Sequence, residues 1–326
     1  NRAPIDWSAY RPVPPHRLGL ITLDDYDLSE IISRFDWKPF FATWELAGRF
    51  PEILEDEVVG EAARSLYNDA QAMLQQLVGE KWTVARAVAG FWPANAVGDD
   101  IEVYADEDRS SVLAVFHTLR QQMSRKGKKR PNLALADFVA PKSSGIADYI
   151  GGFAVTAGAG IDQKAQEFKA QNDDYSAILV QALGDRIAEA FAERLHERVR
   201  KEFWGYAPDE SLSNDELIAE AYQGIRPAPG YPACPDHTEK RTLFDLLQAE
   251  RNAGIELTDS FAMWPGSAVS GLYFSHPESR YFGLGRIDRD QVEDYARRKG
   301  VDVATIERWL APNLSYDPAA RDRAAA

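Results

Sequence analysis

Residues 224–240 read GIRPAPGYPACPDHTEK, with four prolines and two glycines between two segments of helical pattern. Proline fixes φ and lacks the N–H that a helix interior or an inner strand requires. No regular element can run through this stretch, so the chain must fold around it. A plain linker would be Ser/Gly-rich or evenly polar. This one is built to hold a shape.

Periodicity assigns the flanking elements. In DEVVGEAARSLYNDAQAMLQQLVGEK, Val58, Ala62, Leu66, Ala70, Met73, Leu74 and Leu77 recur at three- and four-residue steps, a single apolar helix face closed by Gly79. The next segment predicts a strand over 88–91, a turn rich in Pro, Asn and Gly supplied by Gly98–Asp99 and its neighbours, and a strand over 101–104. DYIGGFAVTAGAG reads as a strand ending in glycines; its spacing fits neither the dinucleotide fingerprint nor the P-loop. Leu179, Leu183, Ile187, Phe191, Leu195 and Val199 mark the longest helix, whose last turns carry Arg194, Arg198, Arg200 and Lys201. His196, alone on that helix, is structural or exposed. Ser213 and Glu216 form a capping box for a helix that stops at Gly224. Asp236 is the expected N-cap of the following helix, with Glu239 at N3. A hairpin is expected over 268–274 and 280–287, followed by two short helices. Hairpins recur and βαβ repetition does not. The fold class is therefore α+β, a single domain with a largely antiparallel sheet and flanking helices.

Composition limits the function. The 326 residues carry a net charge of -14, which argues against nucleic-acid binding. No apolar run approaches the length of a membrane span, and the start has no apolar signal-peptide core. One cysteine, Cys234, excludes an internal disulfide and a multi-Cys zinc site, and a cytoplasmic setting is the simple inference. The first residue is Asn. The chain is thus read as a piece of something longer: residues 1–20 the end of an interdomain linker, 21–316 the domain, 317–326 a disordered tail.

Chemistry is sparse. The five histidines have no metal-ligand spacing, and no G-x-S-x-G elbow occurs. Cys234 lies near a helix start that could lower its pKa, but between Pro232 and Pro235 it reads as a small packed residue. The Pro-rich stretch offers more. Arg226 supplies a planar fork for a carboxylate, Tyr231 a ring and a hydroxyl, and Gly230 lets a ligand approach the backbone. A preorganised ligand loop and a rigid crossing between helices both remain open. In RYFGLG, Tyr281 and Phe282 would face opposite ways in a strand, one to the core. In RFDWKPFF, Asp36 sits among aromatic residues and needs a partner, with helix capping as its plain role.

These segments together resemble a known family. Arg226, Gly230 and Tyr231 match the Arg-x-x-x-Gly-Tyr motif of the C-terminal activation domain of cobalamin-dependent methionine synthases. DWKPFF, DDIEVY, LADFVAPK, DYIGGFAV, AEAFAERLHERVR, DSFAMWPGSAVSG and DQVEDYARRKG resemble family segments in family order, so the likeness runs from about Trp7 to Tyr316. It implies a C-shaped domain around a twisted antiparallel sheet that binds S-adenosylmethionine. It also implies ligand contacts at Asp36, Arg226, Ala228, Gly230, Tyr231 and the Tyr281–Phe282 step, with Glu189 and Glu220 nearby. The family often has two tyrosines at that step, and here the second is Phe282. The implied role belongs to methionine biosynthesis: supply of the methyl group that rescues oxidised cobalamin, with an electron from flavodoxin or a similar reductase. Cobalamin would sit in a neighbouring domain of the same methyltransferase, so this chain alone should bind without turnover. A basic patch for an acidic reductase could lie at RKGKKR (125–130) or at the end of the long helix. A stand-alone scaffold that keeps the fold and has lost the ligand is the alternative.

Overall fold

The computed structural model describes residues 2–123 and 131–318. Its first half runs β1 (Gly19–Leu23), α1 (Leu28–Ile32), α2 (Trp37–Thr43), α3 (Gly60–Gly79), β2 (Arg86–Val97), β3 (Asp100–Tyr104), β4 (Val112–His117) and β5 (Asp148–Thr156). Then follow α4 (Ile161–Ala170), α5 (Asp174–Arg198), α6 (Asn214–Ile218), α7 (Glu239–Leu247), α8 (Ala249–Ala253), β6 (Glu256–Leu257), β7 (Met263–Trp264), β8 (Ala268–Tyr273), α9 (Arg289–Lys299) and α10 (Val303–Trp309).

Six strands form one antiparallel sheet in the order β4-β3-β2-β5-β8, with β1 beside β2. Alternation decides which side chain goes to which layer. Ala87, Ala89 and Phe91 of β2, with Phe153 and Val155 of β5, face the layer of α1 to α5; Val88 and Trp92, with Ile150 and Ala154, face α7 and α8. Every residue of β5 is buried, because helices cover both faces. A fully buried Phe such as Phe91 or Phe153 contributes about 1.5–3 kcal/mol. A third apolar cluster joins α9 and α10 to Leu119, Leu284 and Ile287.

Several local expectations change. Pro93 lies inside β2 and not in a turn; it falls between the residues paired with β1 and those paired with β3, where that edge changes partner. The turn itself falls at Gly98–Asp99 as expected, with Gly98 at φ 66. On α3 the buried face runs from Gly60 through Ala63 and Leu66, while Val58 is 90% exposed and Ala62 is exposed. The capping box of Ser213 and Glu216 is present, but α6 ends at Ile218, well before Gly224. Asp236 caps the start of α7 from two residues before Thr238, its Oδ1 accepting the Thr238 N–H at 2.8 Å and the Thr238 hydroxyl at 2.7 Å. Its other oxygen, Oδ2, is buried against Tyr295 Oη at 2.8 Å and Lys299 Nζ at 3.1 Å, contacts that tie α9 to the domain. Only the first arm of the expected hairpin is a strand. The free edge of β8 is already occupied: Ile225 and Phe274 exchange backbone hydrogen bonds, and Leu272 N donates to Pro227 O at 2.9 Å. The 280–287 segment therefore leaves the sheet and follows the Pro-rich stretch, with Leu284 N donating to Pro232 O at 2.8 Å.

The residues ahead of β1 lie against the domain. The His276 ring sits 4.7 Å from Trp7 and 4.5 Å from Tyr10, and Trp204 Nε1 donates to Val13 O at 2.8 Å. RKGKKR and most of the C-terminal tail lie outside the described residues. The end of α5 is not a free basic patch: Arg194 pairs with Glu30 and Glu197, Arg198 with Glu202, Arg200 with Glu210, and Lys201 with Glu197.

Candidate functional site

The Pro-rich stretch is a rigid edge on β8 and one wall of a cavity. Prolines suit an edge, where a missing N–H breaks no ladder. Gly271 of β8 permits the approach, since a Cβ there would lie 2.9 Å from Pro227 O. The loop then closes on itself: Gly230 N donates to Cys234 O at 2.7 Å, and Cys234 N donates to Tyr231 O at 2.9 Å. Gly230 has φ 95, open to glycine and strained for other residues, and its Cα face lies on the His237 ring.

The cavity holds about 510 Å³. Phe153 and Val269 come from the sheet, Glu189 from α5, and Pro227, Ala228 and Tyr231 from the loop; Glu220, Arg226, Tyr281 and Phe282 complete it. Glu220 follows α6 in the left-handed region, at φ 56. Tyr281 and Phe282 both border this cavity although their segment is not a strand, and Phe282 also packs on the core beside Phe138, its ring centre 6.5 Å away. The Tyr281 hydroxyl accepts the Arg226 backbone N–H at 2.9 Å. An adjoining hollow of about 260 Å³ shares Glu189, Glu220 and Arg226 and adds Asp36 and Arg186. Asp36 is the N-cap of α2, accepting Lys38 N at 3.0 Å, and also borders this hollow. The structure thus gathers Asp36, Glu189, Glu220, Arg226, Ala228, Tyr231, Tyr281 and Phe282, while Gly230 shapes the loop from behind.

Arg226 is the centre of the polar chemistry. Its Nη2 donates to Glu193 Oε2 at 2.7 Å, and its Nη1 lies 2.6 Å from Tyr222 Oη and 3.2 Å from His196 Nδ1. Burial opposes its charge, but the Glu193 carboxylate outweighs that and holds it firmly protonated. Some 20% of its side chain stays open. Glu193, His196 and Tyr222 were not singled out from sequence as site residues. The signal was the helical spacing: Glu189, Glu193 and His196 fall on one face of α5.

Cys234 is buried, and burial pushes its thiol well above the ordinary range, with Glu239 and Asp236 adding to the effect. A thiol so placed is inert. Labelling of the native protein by a disulfide reagent should run roughly a hundredfold slower than in denaturant; equal rates would place the thiol in solvent.

Fold and cavity together define an α+β domain with a cleft of about 510 Å³ walled by a Pro-rich edge loop. Residues 27–300 match the sequence family described as vitamin B12 dependent methionine synthase, activation domain. The chain is also similar to the crystal structure of a MetH reactivation domain bound to AdoHcy: 60% identity, 97% of each chain covered, and a TM-score of 0.94. The chain belongs to this activation-domain family, a domain of a methyltransferase.

Proposed function

We propose that this domain binds S-adenosylmethionine and presents its methyl group for the reductive reactivation of cobalamin. The observation that carries the reading is Arg226 in the cavity wall: its Nε–H and one Nη2 hydrogen have no partner among the described residues, beside carboxylates that also lack one. The ligand has matching parts. A carboxylate suits the free edge of Arg226. An ammonium and a sulfonium suit Asp36, Glu189 and Glu220, whose summed charge favours a cationic donor. A nucleoside suits the apolar floor of Phe153, Val269 and Phe282 and the fixed backbone at Ala228 and Tyr231. The cavity volume lies within the range of small-molecule sites, about 300–1,000 Å³.

The cofactor, held by a neighbouring domain, would supply the reduced cobalt that accepts the methyl group once flavodoxin or a similar reductase has delivered an electron. The residues of this chain bind and orient the donor. Isothermal titration of S-adenosylmethionine into the chain should show saturable one-site binding without turnover. No heat, together with no retention of labelled ligand in equilibrium dialysis, would leave a scaffold that has lost its ligand.

A further inference from the structure

Arg226 is held by three side chains that do not line the larger cavity, although Glu193 borders the adjoining hollow. A guanidinium has five N–H donors and accepts nothing. Nη1 meets Tyr222 Oη at 2.6 Å and His196 Nδ1 at 3.2 Å, and Nη2 meets Glu193 Oε2 at 2.7 Å. Because arginine can only donate, His196 Nδ1 must accept, and the imidazole is the neutral tautomer with its proton on Nε2, 3.4 Å from Tyr206 Oη. Burial, with Arg200 and Arg226 alongside, keeps that imidazole uncharged. The holders are themselves held. His196 stacks on Tyr273 at 5.1 Å, and Tyr222 lies against the buried Arg200 guanidinium, 4.2 Å from the ring centre. Arg200 in turn forms a forked pair with Glu210 at 2.8 and 2.7 Å.

We infer that Glu193, His196 and Tyr222 are positioning residues: they take up three of the Arg226 donors and fix the remaining two for the carboxylate end of the ligand. The inference rests on the donor-binding reading above. It assigns these residues to recognition of the amino-acid end and not of the nucleoside.

The test compares two probes in equilibrium dialysis: S-adenosylhomocysteine, and 5′-methylthioadenosine, which lacks the amino-acid end. Tyr222→Phe should weaken the first about tenfold and leave the second within about twofold. His196→Gln should do the same, whereas His196→Asn, whose Oδ1 can take the place of Nδ1, should stay within about threefold of the parent for both. Should the buried His196 variants not fold, Tyr222→Phe decides. Equal weakening of both probes, or of neither, overturns the inference and leaves these residues a role in the fold alone. A parent chain that binds neither probe overturns the donor-binding reading and this inference with it. A parent that prefers S-adenosylhomocysteine, with a preference that Tyr222→Phe does not alter, overturns this inference only.

Discussion

Arg226→Ala should weaken S-adenosylhomocysteine binding by roughly ten- to a hundredfold, since a hydrogen bond to a charged group contributes about 1.5–3 kcal/mol. The same change strips Glu193 of its cation, and a buried carboxylate left unpaired costs about 3–5 kcal/mol when both groups are fully enclosed. Arg226 keeps 20% of its side chain open, so the cost here is smaller. Affinity and stability must therefore be read together. Calorimetric titration with a melting curve on each variant separates them, and Glu193→Gln in the Arg226→Ala background should recover part of the melting temperature and none of the affinity. An Arg226→Ala protein that binds like the parent would remove the arginine from the site.

Gly230→Ala should be comparably damaging by a different route. A Cβ at this position would lie 2.4 Å from His237 Cε1, and its backbone has φ 95. Strain of this kind costs about 1–3 kcal/mol, and forced overpacking a similar amount, so a loss of about 2–4 kcal/mol is expected. The ring cannot simply retreat: Lys240 Nζ lies 3.0 Å from His237 Nδ1 and also donates to Phe261 O at 2.9 Å. Adding His237→Ala should relieve the contact and leave the backbone strain, so the double variant should melt between Gly230→Ala and the parent. Urea unfolding gives the stabilities, and dialysis with S-adenosylhomocysteine gives the affinity. An unperturbed Gly230→Ala would mean that the loop is pliant and not preorganised.

The parts of this fold that were legible in the sequence are those specified by local periodicity. The α5 register was visible because Leu179 to Val199 repeat without interruption and every one of those side chains is buried. The Ser213–Glu216 box was visible because capping is chemistry between neighbours. What stayed hidden depended on distant partners. The contact of Asp236 with Thr238 is local and legible, but nothing near it announces Lys299 and Tyr295 on its other oxygen. The 280–287 segment has strand-like alternation, but the edge it needed is held by Ile225 and Pro227, more than forty residues earlier in the chain. The site divides in the same way. Arg226, Gly230 and Tyr231 stand out through their unusual setting and family motif. Glu193, His196 and Tyr222 stand on helical or turn residues of ordinary composition, and only the closing of the fold brings them to one guanidinium.

The short strand β1 bears on how such a domain can be excised. It covers Ala87, Val88, Ala89, Gly90 and Phe91 of β2 along their hydrogen-bonding edge. A version trimmed to begin at α1 would leave those apolar positions with a bare row of amides and carbonyls, a template on which a second chain could add a strand. The residues ahead of α1 thus act as a guard against edge-to-edge aggregation, and a truncation that spares every candidate site residue would still lose solubility.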